Sequence, residues 1–106
     1  MGILRYDETD YEFDDRLLAH LQIVISTKLR RSESFFVNWR ISPDAGSGRG
    51  ALWIDNGMPI HFFFNGSRMP AINRDWVESM MLSASSATGL HLTDEPVAKD
   101  QAAQRP

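Results

Sequence analysis

Residues 14–41, DDRLLAHLQIVISTKLRRSESFFVNWRI, hold the two patterns that decide a fold for this 106-residue chain. At about 100° per residue, Leu17, Leu18, Leu21, Val24, Ile25 and Leu29 fall on one arc, as in an amphipathic helix. Asp14 or Asp15 suits the start of that helix, because a carboxylate accepts from unpaired N–H groups and favours the positive end of the dipole. Ser32-Glu33-Ser34 ends it, since short polar side chains compete for backbone hydrogen bonds. The period then changes to two. Phe35, Val37, Trp39 and Ile41 point one way and Phe36, Asn38 and Arg40 the other, which describes a strand with one face in the core.

The flanking segments read as partners for this helix and strand. Ile3 to Tyr6 and Tyr11 to Phe13 are expected as short strands around the polar turn 7–10. Residues 42–50 form a loop rich in turn formers. Residues 51–55 and 58–64 flank Asn56-Gly57, a strong hairpin signal. Its register stays open: a two-residue turn groups Leu52 and Ile54 with His61 and Phe63, whereas an odd-length loop groups them with Ile60, Phe62 and Phe64. In either register Phe63 or Trp53 falls on the less buried face. Asn73 caps a second helix bearing Trp76, Val77, Met80, Ala84 and Ala87 on one face, and Gly89 is placed to end it. Leu90-His91-Leu92 suits a last short strand. These elements predict one α+β domain over residues 1–92: a mostly antiparallel sheet of five or six strands with two helices packed on one face. Residues 93–106, with two prolines and no periodicity, are expected as a flexible tail.

The totals exclude several classes of function. The chain has no cysteine, so disulfides, thiolate metal sites and cysteine nucleophiles are ruled out together. No apolar run approaches the roughly 18 residues of a membrane span, and no signal-peptide pattern opens the chain, so a cytoplasmic protein is expected. His20, His61 and His91 share no metal-ligand spacing, and no motif marks a nucleophile; neither catalytic residue, metal nor cofactor is expected. The acidic run from Asp7 to Asp15 lacks the glycine and terminal glutamate of a calcium loop. Gly46-Ser47-Gly48-Arg49-Gly50 leads into a strand and lacks the Lys-Ser/Thr of a nucleotide loop, so it reads as a hairpin connection.

Charge is unevenly spread behind the net −3. Residues 1–15 carry six acids against Arg5, and residues 16–49 carry six bases against Glu33 and Asp44. The basic middle third yields the candidate nucleic-acid contacts: Arg16 and His20 on the outer helix arc, Lys28, Arg30 and Arg31 near its end, then Arg40 and Arg49. Arginines hold phosphates, and an exposed aromatic stacks on a base. Cations in a last helical turn also complement the dipole, which is the simpler explanation for Lys28, Arg30 and Arg31. Lys28 falls within the apolar arc, from which its stem would snorkel outward. A competing use, contact with another protein or a second copy of the chain, rests on Ile23 in the outer helix arc, Leu82 on the second helix, and the sheet aromatics Phe36 and Phe63.

The segments LAHL (18–21), KLRRSESFFVNW (28–39), GSGRGALW (46–53) and PIHFFFNGSRMPAINRDWVE (59–78) resemble a family of small uncharacterised actinobacterial and phage proteins. The resemblance covers roughly residues 2 to 96. Its members are often labelled ATP-dependent DNA ligase, and that label implies a DNA-related setting. It brings no catalytic residue to this chain. Nucleotidyl transfer by such ligases uses a Lys-x-Asp-Gly motif, whereas Lys28 precedes Leu-Arg-Arg and Lys99 precedes Asp-Gln-Ala.

Overall fold

A computed structural model describes residues 1–96. Asp14 caps helix α1 (Asp15–Arg30), its carboxylate accepting from the Arg16 N–H. Asp15 turns elsewhere and accepts from the N–H groups of Asn65 and Gly66 at 3.0 and 3.2 Å, fastening a distant turn to the helix. At the other end Ser32 adopts a positive φ of 58°. The Ser32 N–H then reaches the Leu29 carbonyl and the Glu33 N–H that of Lys28, both at 3.0 Å, which helps satisfy the carbonyls of the last turn. The anticipated apolar arc is the buried one: Leu18, Leu21, Val24 and Ile25 are all in the core.

The described residues form an α+β domain of six strands and two α-helices. The strands divide into two three-stranded sheets rather than one. The first has order β2-β1-β5, with β1 at Gly2–Tyr6, β2 at Thr9–Phe13 and β5 at Ile60–Phe63, all antiparallel. The second has order β4-β3-β6, with β3 at Phe35–Ile41 antiparallel to β4 (Gly48–Ile54) and parallel to β6 (Leu90–His91). Both sheets turn one face to a shared core. Leu4 and Tyr6 from the first, Phe35, Val37, Ile54 and Leu90 from the second, and Trp76 and Met80 from α2 (Arg74–Ala84) belong to one buried cluster. Trp39 joins the sheets, meeting Tyr11 and Phe13 edge-on at 5.6 Å each. Gly50, its cross-strand partner, gives the indole room, since a Cβ there would come within 2.4 Å of the ring.

Asn56-Gly57 does not form a hairpin. β4 and β5 belong to different sheets, and neither Asn56 nor Gly57 has the positive φ that a type I′ turn requires. Tertiary anchors hold this crossing instead. The Asp55 N–H donates to the Tyr6 hydroxyl at 2.9 Å, Ser34 Oγ donates to Asp55, and the Asn56 amide donates to the Leu29 carbonyl at the end of α1. Both earlier registers therefore fall away, although Leu52 and Ile54 do share the core side with Ile60 and Phe62.

The tight two-residue turn occurs at Asp7-Glu8, where φ is 50° and 65° and Tyr6 pairs with Thr9. Two non-glycine residues hold a conformation that costs each about 1 kcal/mol. Glu8→Gly should accordingly raise stability by about 0.5–1 kcal/mol, read as a melting temperature several degrees higher. No gain in denaturant titration would mean that the turn is not the strained type I′ pair.

The second helix is shorter than its apolar pattern. It stops at Ala84, leaving Ala87 exposed outside it. Serines compete for the backbone here: Ser86 Oγ donates to the Ser83 carbonyl at 2.7 Å, and Ser83 Oγ accepts from the His91 N–H at 2.9 Å. Gly89 does not cap the helix; its φ of +90° serves a close crossing over Phe36. The expected tail is anchored at its start, because Glu95 and Pro96 bond to the body of the domain. Residues 97–106 lie outside the described residues.

Candidate nucleic-acid interface

The outer helix arc is not a free surface. Arg16 grips Glu95 with two parallel hydrogen bonds, Nε to Oε1 at 2.6 Å and Nη2 to Oε2 at 2.7 Å, and its third nitrogen donates to the Ala71 carbonyl at 2.8 Å. His20, expected on the polar side, is 0% exposed, and its ring packs 4.6 Å from that of Trp76. The Asn73 N–H donates to His20 Nε2 at 2.9 Å, which leaves Nδ1 as the protonated nitrogen that donates to the Arg16 carbonyl at 2.7 Å. Asn73 completes the knot. Its Oδ1 caps α2 by accepting from Asp75 and Trp76, while its amide donates to Glu95 and the Pro96 carbonyl, both at 2.9 Å. Arg16 and His20 thus fasten α1, the entry to α2 and residues 95–96, and are unavailable to phosphate. A 3.6-residue period shows which residues share an arc, but not that a second helix covers it.

The Arg16 guanidinium, then the Asn73 amide, holds the Glu95 carboxyl well below its usual value, at about 2. A depressed carboxylate pKa contributes stability that is present above the unfolded value of 4.5 and lost as pH falls through 2. Glu95→Gln should therefore lower the melting temperature at pH 6, and the gap to the parent protein should close between pH 4.5 and 2. Allowing for solvent screening, its size is on the order of 1–2 kcal/mol. A gap that persists unchanged at pH 2 would exclude the ionised pair as its source.

Lys28 is also internal. It is 5% exposed, with Nζ 3.5 Å from Glu33 Oε2 and 5.9 Å from the Phe35 ring centroid. It does not snorkel outward: its ammonium stays inside, beside Glu33 and the Phe35 ring. Arg30 and Arg31 remain exposed at the helix end. Among the protein-contact candidates, Ile23 is half-buried and its carbonyl takes the hydroxyls of Ser26 and Thr27. Leu82 is 78% exposed on α2. Phe63 lies on the outer face of the first sheet under the Arg5 guanidinium, which sits 5.0 Å from its ring. These candidates, with Phe36, come from four different elements.

What the fold does assemble is the outer face of the second sheet. The β3–β4 register sets Phe36 opposite Trp53, Asn38 opposite Ala51 and Arg40 opposite Arg49. Phe36 and Trp53 are 43% and 49% exposed and meet edge-to-face at 4.9 Å. Along β3, alternate residues are about 6.6 Å apart, so the aromatic pair and the arginine pair stand about 13 Å apart on one face. Arg40 and Arg49 are exposed, and no carboxylate pairs with either among the described residues. Like charges directly opposite on a sheet repel, so this pair favours a bound anion. Asn38 stiffens the face by donating to the carbonyls of Thr88 and Leu90 at 3.0 and 3.1 Å. Beside it His91 is exposed, with Nε2 2.8 Å from the Thr88 hydroxyl. A cleft of about 730 Å³ runs along this end, where Arg40, Arg49, Asn38 and His91 face Glu12 and Asp94.

Of the residues singled out from the sequence, Phe36, Arg40 and Arg49 are brought together, and Trp53 and His91 join them. The alternation of Trp53 with Leu52 and Ile54 was the available signal for its outward position. Among the described residues no group of three or more His, Asp or Glu side chains is placed to hold a metal ion, and no helix is long and apolar enough to cross a membrane. A family model described as a domain of unknown function, DUF7882, matches residues 1–95, and the chain belongs to that family. No curated protein and no solved structure matches the chain.

Proposed function

We propose that this member of the DUF7882 family is a non-catalytic module that binds single-stranded nucleic acid across the outer face of β3 and β4. The observation that carries the reading is the Phe36–Trp53 pair on the same exposed face as the unpaired Arg40 and Arg49. Bases stack on aromatic rings whatever their sequence, and guanidinium groups take the phosphates between them. A duplex fits less well, because its bases are already stacked and give the rings nothing to receive. The basic face of α1 is replaced as the leading site because Arg16, His20 and Lys28 are occupied within the fold, which leaves only Arg30 and Arg31 exposed at its end.

Titration of the protein with a short oligothymidylate, followed by tryptophan fluorescence, tests this. Trp53 is the exposed reporter, whereas Trp76 is buried. Binding should weaken with salt with a log–log slope of about −1.4, as for two phosphates on a single strand. Trp53→Ala should cost about 1–3 kcal/mol. Arg40→Ala with Arg49→Ala should flatten the salt slope, and Arg30→Ala with Arg31→Ala should leave it unchanged. Absence of binding at low salt, or loss of binding only in the Arg30/Arg31 variant, overturns the assignment to this face.

A further inference from the structure

We infer that β4 is a self-complementary edge through which two copies of this chain join in antiparallel register about a twofold axis at Ala51. The orientation of its backbone follows from β3. The Asn38 carbonyl accepts from the Leu92 N–H at 2.9 Å, so the peptide groups of Asn38 face β6. Asn38 is the register partner of Ala51, which makes theirs a non-hydrogen-bonded pair and turns the Ala51 N–H and C=O away from β3, to the open edge. By the period of two, Arg49 and Trp53 present their N–H and C=O groups to the same edge.

Unpaired edges are normally blunted by charged side chains, proline, a bulge or short length. The other edges carry such devices: β2 bears Asp10 and Glu12, β5 follows Pro59 and spans four residues, and β6 spans two. β4 carries a single charge and no other such device. It pairs with β3 through seven consecutive residues without a bulge, contains neither proline nor lysine, and has Arg49 as its one charge.

The residue order completes the case. Reversing Arg49-Gly50-Ala51-Leu52-Trp53 about Ala51 places Arg49 opposite Trp53 of the second copy, and Gly50 opposite its Leu52. Each arginine then lies beside an indole face, a favourable cation–π arrangement that also offsets its repulsion from Arg40. On the inner side Trp39 of the same copy already covers Gly50, and the small Ala51 lets the backbones meet at the axis. Three residue pairs (49 with 53, 51 with 51, 53 with 49) give about six backbone hydrogen bonds at two per pair. The product is a continuous six-stranded sheet that carries the exposed face twice. The β4 edge joins two copies in this way whether or not that face binds nucleic acid.

Sedimentation equilibrium of the full chain from micromolar to millimolar concentration should show a mass rising from 12.0 kDa toward twice that value. Ala51→Pro should hold it at the monomer mass with an unchanged circular dichroism spectrum, because the donor it removes lies outside the β3–β4 ladder. Ala51→Lys, which keeps the backbone donor and sets two ammonium groups at the axis, should do the same. In a chain without cysteine, Ala51→Cys supplies a single thiol, and mild oxidation should convert it to a disulfide-linked dimer faster than the exposed control Ser67→Cys. A parent protein that stays monomeric throughout, a dimer that survives both Ala51→Pro and Ala51→Lys, or equal crosslinking at positions 51 and 67 overturns the inference.

Discussion

Replacing His20 with alanine is expected to destabilise the protein by about 3 kcal/mol, a fall of roughly 10–20 °C in melting temperature for a domain of this size. Two costs add. The Asn73 N–H, which now donates to Nε2 at 2.9 Å, would stay buried without an acceptor, at about 1–3 kcal/mol. The space left against Trp76 adds a cavity penalty, because the ring is wholly enclosed. His20→Gln supplies an oxygen acceptor and should recover part of the loss, whereas His20→Leu fills space without an acceptor and should recover less. Native-state hydrogen exchange gives a local readout: the Asn73 amide should lose protection in the alanine and leucine variants. An alanine variant within 1 kcal/mol of the parent would show that the histidine does not hold the entrance to α2.

The second large effect is expected at Gly89. Its φ of +90° is costly for a residue with a Cβ, and an added methyl would stand 2.7 Å from the Phe36 carbonyl oxygen and 2.9 Å from the Phe36 Cβ. The obstacle is largely backbone, which cannot swing aside as the end of a side chain can. Conformational strain of about 1–2 kcal/mol and overpacking of similar size give Gly89→Ala a cost of about 3 kcal/mol. Gly46 provides the comparison. Its φ is +106°, but nothing lies within 4 Å of its added Cβ, so Gly46→Ala should carry the strain alone, near 1 kcal/mol. Denaturant midpoints for the two variants separate crowding from strain, and equal losses would exclude the crowding. Because Phe36 lies under the crossing, Gly89→Ala should also disturb the exposed aromatic pair.

Position in the chain explains why some elements were legible and others not. Helix α1 and strand β3 each bury one face continuously, so hydrophobic period alone places Leu21 and Val37 inside and Phe36 outside. The cap of α2 at Asn73 was legible for a similar reason, since a side-chain oxygen satisfying N–H groups two and three residues on is a local event. The hairpin at Asn56-Gly57 was misleading because its turn preference is worth less than the contacts that compete with it. Tyr6, Ser34 and Leu29 are distant in sequence, and together they draw the crossing into an arrangement that local geometry does not favour.

The candidate site shows the same division. That Phe36, Asn38 and Arg40 share a face follows from alternation within a single strand. That Arg40 stands opposite Arg49, and Phe36 opposite Trp53, depends on the β3–β4 register, which the loop at residues 42–47 and the fit of Trp39 over Gly50 determine. Arg16, His20 and Lys28 resembled surface cations because helical period assigns them an arc without saying what packs upon it. Glu95, seventy-nine residues beyond Arg16, reaches it only once the chain is folded.

For this protein, then, the sequence by itself determined the α+β class, the principal helix, the central strand and which side of each faces the core. Those are consequences of period and burial, which act over a few residues at a time. Tertiary structure alone decided that six strands form two sheets, that the outer arc of α1 is covered, and that two aromatics and two arginines meet on one open face. Each depends on pairing between segments far apart in the chain, where the energies of many contacts are compared at once and no local pattern records the outcome.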